Sequence, residues 1–134
     1  MKRFKKFWIF LFFLIVIITT IIIYSLYKKS EFPKKELIYY TGIKEFVTRY
    51  KYSDNHQIYI EVAISAEDKQ MLLSKFKFEN NLQILKGKAP CPFIIENPGF
   101  IYYYVKNDYG PYGYVLLALE KNSNKLQFFE IYGD

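Results

Sequence analysis

The chain holds one histidine and one cysteine, so chemistry built on imidazole or thiolate has a single place for each. His56 follows Asp54 by two residues and precedes Glu61 by five. Carboxylate and imidazole ligands of this kind suit a divalent cation. Zinc sites, however, take three or four such ligands, and no second histidine or cysteine is at hand. A solvated turn accounts for Asp54, His56 and Glu61 more simply. Cys91 stands between Pro90 and Pro92. A nucleophilic cysteine needs a base or a helix N-terminus to lower its pKa, and the surrounding sequence offers neither. An inert thiol is expected, or, in an oxidising compartment, a cross-link between two copies of the chain.

Glycoside cleavage needs two carboxylates facing one bond. Glu61, Glu96, Asp108, Glu120 and Glu130 are available, but the last 99 residues carry 12 acids, as a soluble surface would. Gly110-Pro111-Tyr112-Gly113 lacks the lysine and the spacing of a phosphate-binding loop. No G-x-S-x-G, H-E-x-x-H or EF-hand pattern occurs. Without a nucleophile–base pair or a ligand cluster, the expectation is a protein that is not an enzyme and takes no metal or cofactor.

Aromatic density is the unusual feature. Phe100, Tyr102, Tyr103, Tyr104, Tyr109, Tyr112 and Tyr114 fall within 15 residues. In a strand Tyr102 and Tyr104 share one face and Tyr103 takes the other. Rigid amphipathic Tyr rings suit protein interfaces. The six tyrosines at 102, 103, 104, 109, 112 and 114 are therefore the expected partner-binding surface, with residues 86–99 as an adjoining loop. Part of the enrichment has a plainer origin. Ile, Lys, Phe, Tyr and Asn make up 68 of 134 residues, the mark of an AT-rich coding sequence such as many bacteria carry, and aromatics are ordinary strand formers.

The formal net charge is +6, but its placement argues against a nucleic-acid binder. Residues 1–35 hold eight basic side chains against Glu31 alone, whereas the remainder holds 11 basic and 12 acidic ones. The excess flanks residues 7–27, a run without charge, Pro or Gly. As a helix this run spans roughly 31 Å at 1.5 Å per residue, matching a hydrocarbon core of about 30 Å. Trp8, Tyr24 and Tyr27 lie near its ends, where amphipathic rings prefer the interface. Lys5, Lys6, Lys28 and Lys29 can snorkel to the headgroups. A secretory leader has a shorter apolar region followed by small residues, whereas this run closes on Ile-Tyr-Ser-Leu-Tyr-Lys-Lys.

The organisation expected is a basic cytoplasmic tail (1–6), a transmembrane anchor (7–27), a juxtamembrane linker (28–35) and a small domain (36–134). Four basic residues stand on each side of the run, so the positive-inside rule gives almost no bias. The short tail favours the N-terminus inside the cytoplasmic membrane and the domain outside.

Pro33 at a first helical turn and Gly42 as a stop frame a short helix. Residues 46–52 and 57–64 alternate around Ser53-Asp54-Asn55 and read as a hairpin. Ile58, Ile60, Val62 and Ile64 fall on one face, as in a half-buried strand. Ser65 caps a second helix with Asp68 three residues on, and Met71, Leu72, Leu73 and Phe76 supply its apolar face. Strands at 100–106, 112–120 and 125–132 finish the chain as an antiparallel meander. Residues 79–99 read as a long loop, with a short strand at 82–85 or 93–95 as the alternative. The class expected is α+β, with about five antiparallel strands and one or two helices after the anchor.

The functional reading is a membrane-anchored, non-enzymatic binding protein with a protein partner, a second copy of the chain being one candidate. A concrete form resembles small bacterial immunity proteins, in architecture and lack of catalytic groups alone, and would occlude a toxin at the envelope. The alternatives are a structural or regulatory subunit of a membrane complex, and an envelope enzyme. The apolar run has no G-x-x-x-G and no internal charge, which weakens the subunit reading.

Overall fold

The computed structural model describes residues 2–82, 91–106 and 113–133. Its elements are α1 (Lys2–Thr41), β1 (Val47–Ser53), β2 (Gln57–Ala63), α2 (Ala66–Lys75), β3 (Phe100–Lys106), β4 (Tyr114–Glu120) and β5 (Lys125–Ile131). This is an α+β chain with two helices and one five-stranded antiparallel sheet. It divides into two compact units, Met1–Phe32 and Pro33–Asp134.

The first unit is the greater part of α1. Its most apolar window has a mean hydropathy of 2.9 and none of it is buried in the protein, so by length and composition the helix can cross a membrane. Thr19 and Thr20 each donate their hydroxyl to the carbonyl four residues back, Ile15 and Val16, at 2.8 Å. That satisfies both hydroxyls inside an apolar stretch.

Residues 28–35, expected as a linker, are helical, and the short helix expected to begin at Pro33 is instead the end of α1. Proline is most at home in a first turn because it lacks an N–H. Here it sits inside the helix, where the helix forgoes one backbone bond. The expected stop does occur. Gly42 takes φ +78°, donates its N–H to Ile38 O at 2.8 Å and closes the helix, a left-handed C-cap that glycine adopts without penalty.

In the second unit the strand order is β1-β2-β5-β4-β3. The hairpin of β1 and β2 forms as its alternation predicts, with an irregularity between Thr48 and Tyr50 that leaves Arg49 as the extra residue. Strands β3, β4 and β5 form the expected meander, and β2 joins the two parts by pairing with β5 from Gln57↔Ile131 to Ala63↔Lys125.

Sheet geometry places alternate residues on opposite faces. One face carries Ile58, Ile60, Val62, Val115, Leu117, Leu119, Leu126 and Phe128, all fully buried or nearly so. The end of α1 covers it. Pro33, Leu37 and Thr41 recur every four residues and are buried. Tyr40 lays its ring 5.9 Å from Phe128 and donates its hydroxyl to Glu130 Oε1 at 3.2 Å. The cap of α2 forms as expected, with Ser65 Oγ accepting from Asp68 N at 3.0 Å. Its apolar face is narrower than expected. Leu72 is buried, but Leu73 is exposed and Met71 only half-buried, because a ten-residue helix at the sheet's margin turns few positions inward.

The expectation of a half-buried strand at 57–64 is corrected at Tyr59, which is buried on the other face. Tyr59, Tyr102, Tyr114, Leu116, Ala118 and Phe129 form a second buried layer, closed by Ile94 and the partly buried Cys91 and Phe93. Residues Tyr114 to Leu119 of β4 are consecutively buried. Residues 93–95 form no strand, and of them Phe93 and Ile94 cover this layer while Ile95 is exposed; most of 82–85 lies outside the described residues.

One lysine fixes α2 to the sheet. Lys69 Nζ donates to the carbonyls of Glu120, Lys121 and Ser123 at 2.8, 2.8 and 2.5 Å, gathering the turn between β4 and β5. Lys69→Met removes all three charge-assisted bonds. Because the turn is exposed and water can take over its carbonyls, the expected loss is about 1–2 kcal/mol. Chemical unfolding of the detergent-solubilised chain, followed by tyrosine circular dichroism, measures it; an unchanged midpoint would assign the lysine no part in stability.

Candidate functional site

The metal reading of Asp54, His56 and Glu61 meets two carboxylates already engaged. Asp54 Oδ1 accepts the N–H groups of His56 and Gln57 at 2.7 and 2.8 Å, and Oδ2 accepts the Tyr52 hydroxyl at 2.8 Å and the Gln57 amide at 3.3 Å. It is the organiser of the hairpin turn, the role its type suits. Glu61 Oε2 accepts from Tyr59 and from Gln127 at 3.3 and 3.1 Å. Among the described residues no three His, Cys, Asp or Glu side chains gather as a metal site.

Cys91 is partly buried, and its Sγ accepts the Ile94 N–H at 3.3 Å. Burial pushes the thiol's pKa up, outweighing the hydrogen bonds from the N–H groups of Ile94 and Phe93. That disfavours the thiolate and with it nucleophilic chemistry.

The expected tyrosine surface is largely taken apart. Tyr102 and Tyr114 are buried to within 1%, so neither reaches a partner. Tyr102 belongs to the second layer because β3 is paired with β4 there and residues 94–97 fold over it. Its hydroxyl accepts the Asn97 N–H at 2.8 Å and lies 3.2 Å from Ile95 O. Burial raises the pKa of both phenols. Tyr104 packs on Tyr114 with ring centroids 5.5 Å apart. Tyr103 lies on the opposite face against Phe76 at 4.6 Å and Phe78 at 6.0 Å. Tyr109 and Tyr112 lie outside the described residues, as do residues 86–90 of the expected contact loop.

The tyrosines instead form a row across the sheet. Tyr52 and Tyr59 bracket Phe93 at 5.0 and 4.8 Å, the latter pair stacked within 13°. Phe93 leads to Phe129 at 6.3 Å, Phe129 to Tyr114 at 5.8 Å, and Tyr114 to Tyr104. Each strand contributes a ring, and one ring comes from the covering coil. Offset and tilted rings at these separations are worth about 0.5–1.5 kcal/mol per pair beyond area burial.

The row surfaces at β1. In the second unit the exposed large apolar side chains among the described residues are Tyr39, Val47, Tyr50, Tyr52, Leu73 and Ile95. Three of the six belong to β1, and Ile95 is two residues beyond Phe93. Tyr50 leans on Tyr59 at 5.8 Å while half of it remains exposed. These residues were not singled out by sequence, though the alternation of Tyr50 and Tyr52 in the first strand of a hairpin was the available signal. The interface residues read from sequence all lie on α1. Lys5, Lys6, Trp8, Tyr24, Tyr27, Lys28 and Lys29 are exposed there.

Comparison with protein-family models, curated proteins and solved structures finds no match to this chain.

Two outcomes follow from this geometry. Tyr102→Phe deletes the hydroxyl that holds the coil over the second layer. It should cost about 1 kcal/mol and speed amide exchange at Asn97, with the β2–β5 ladder unaffected; unaltered exchange at Asn97 would deny the hydroxyl that role. Asp54 titrates with the opposite character to the buried phenols. Burial raises its pKa, but the bonds from His56, Tyr52 and Gln57 prevail and lower it to about 2 from the usual 3.8. The hairpin turn is therefore supported at pH above about 4 and loses that support as pH falls toward 2. Carboxyl chemical shifts and the exchange of the His56 and Gln57 amides measure the effect, and Asp54→Asn should abolish its pH dependence.

Proposed function

We propose that this chain is a membrane-anchored, non-enzymatic binding protein, with α1 held in a bilayer and the sheet domain capturing a protein partner. The observation that carries the anchor is the apolar first unit of α1, wholly unburied and flanked by lysines at both ends. A retained anchor is supported over a removed leader by the course of the helix. It runs on from the apolar stretch to Thr41, and its last turns contribute Pro33, Leu37 and Thr41 to a buried face. A leader peptidase would meet helical Tyr24-Ser25-Leu26-Tyr27 where it needs small residues.

The binding role rests on what the domain does with its reactive groups. Asp54, Glu61, Cys91 and the buried phenols are each engaged in holding the fold, as described above. Among the exposed large apolar residues of the described sheet domain, Val47, Tyr50 and Tyr52 lie together on β1. The concrete form is an immunity-type protein at the cytoplasmic membrane, its domain outside, occluding a toxin by surface contact.

The chain expressed in cells should resist alkaline extraction, keep its N-terminus by mass spectrometry, and retain partner capture when residues 7–27 are exchanged for an unrelated span. Cys91 is too sheltered to report orientation, so a Cys91→Ala chain carrying Asn122→Cys in the exposed β4–β5 turn is the suitable probe. A membrane-impermeant maleimide should label it in intact cells. A mass lacking the first two dozen residues would overturn the anchor. Labelling only after permeabilisation would place the domain in the cytoplasm.

A further inference from the structure

We propose that a cleft at one end of the sheet, between β1 and the β4–β5 turn, binds the C-terminal residue of the partner protein, taking its carboxylate on Arg49 and Lys125 and its apolar side chain beside Ala63. This rests on the binding role given above and specifies the partner's chemistry.

The cleft measures about 250 Å³ and is lined by Arg49, Val62, Ala63, Ser123, Asn124 and Lys125. Two features of the chain open it. Arg49 is the extra residue where the β1–β2 register shifts between Thr48 and Tyr50, and a bulge bends its strand out of regular pairing. Ala63, the last residue of β2, is the register partner of Lys125 on β5, and its single methyl group fills little of that corner. The turn is held alongside, with Ile64 donating its N–H to Asn124 O at 2.9 Å. In the order β1-β2-β5 the two cations come from strands on either side of β2. The lining of the cleft brings them together, whatever the irregularity does to strand alternation.

Both cations are available. Among the described residues neither the Arg49 guanidinium nor the Lys125 ammonium has a hydrogen bond or an ion pair, and no acid lines the cleft. The neighbouring acids are engaged or stand elsewhere. Glu61, two residues before Ala63, takes the Tyr59 hydroxyl and the Gln127 amide. Glu120 takes the Ser123 hydroxyl. Glu45 lines a separate hollow with Lys44, Glu67 and Asp68. Two like charges in one small cleft favour an anion, and a carboxylate suits them because the planar guanidinium can hold it through two parallel bonds. Pockets that enclose a whole small molecule run to roughly 300–1,000 Å³, so this smaller one fits the end of a longer chain. A C-terminal residue carries a carboxylate and an apolar side chain on one Cα, matching cations set beside Ala63 and the methylene stem of Lys125. An internal Asp or Glu spends its side chain on the charge. Val47, exposed and paired with Ala63, lies beside the cleft and begins the apolar strip of Tyr50 and Tyr52 that the rest of the partner would meet.

The test uses the full chain in phosphatidylcholine nanodiscs and three acetylated pentapeptides: Gly-Ser-Gly-Ser-Leu with a free carboxylate, the same peptide amidated, and Gly-Ser-Gly-Ser-Gly with a free carboxylate. The free leucine peptide should bind about tenfold tighter than either other, a difference of about 1.4 kcal/mol. It should shift the amide signals of Ala63 and Asn124 and leave those of β3 as they were. Arg49→Gln with Lys125→Gln should keep the circular dichroism of the parent and lose the preference for carboxylate over amide. Ala63→Leu, which fills the cleft and keeps both cations, should weaken the leucine peptide by a similar factor. Equal binding of the free and amidated peptides, or binding of neither, would overturn the proposal. So would equal binding of the leucine and glycine ends, displacement by an equal concentration of inorganic phosphate, or an unchanged preference in the double variant. A chain that captures a protein partner in cells while failing this test would keep the binding role and lose the cleft. A chain that passes it but captures no protein would do the reverse.

Discussion

The central strand β4 has no wet face, and much of the rest of the chain answers to that constraint. Antiparallel sheets commonly keep one side on a core and leave the other to water. Here β4 is buried from Tyr114 to Leu119 without interruption, so the chain must supply a cover on each side. The end of α1 and α2 provide one. The other comes from irregular coil, with Phe93 and Ile94 set down on the layer. Irregular coil is a costly cover, because its backbone polar groups need partners. Tyrosine answers both needs, since its ring fills the layer and its hydroxyl reaches the coil, as Tyr102 does at Asn97 and Ile95.

That constraint separates what the sequence discloses from what it conceals. The β1–β2 hairpin was legible because alternation, turn residues and Asp54 point the same way. The helix cap at Ser65 and the stop at Gly42 were legible because each is a local event of one or two turns. Tyr102 and Tyr114 were misread as surface because period-two alternation says which residues share a face but not whether that face is covered. The cover lies in residues with no periodicity at all, so no pattern announces it. Pro33 misled for a related reason. Its preference for a first turn is a local rule, overridden when the helix on both sides is held by other forces, apolar sequence before it and Leu37, Tyr40 and Thr41 packed after it.

Reading the tyrosines as a layer also relocates the exposed apolar surface of the domain. A row of rings that begins at Tyr104 and is roofed at Phe93 reaches solvent at β1, where Tyr50 and Tyr52 are the last members. The basic residues of the domain gain meaning from that position. With acids and bases almost balanced beyond residue 35, the domain has no broad field to steer a polyanion. The two cations of the edge strand β1, Arg49 and Lys51, act at short range instead.

The apolar length of α1 sharpens the same point for a chain held in a bilayer. A soluble protein with an open strand edge meets its copies at the bulk concentration, whereas chains held by a span such as that of α1 share a thin layer and meet at a far higher effective concentration. Edge pairing between copies would then be the dominant hazard. An anchored chain with this topology thus needs a charged edge more than a freely diffusing one does. Arg49 and Lys51 place charge of that protective kind on the edge strand β1. An edge of alternating Lys and Glu would be as soluble but self-complementary, and crowding in a bilayer would drive such copies together.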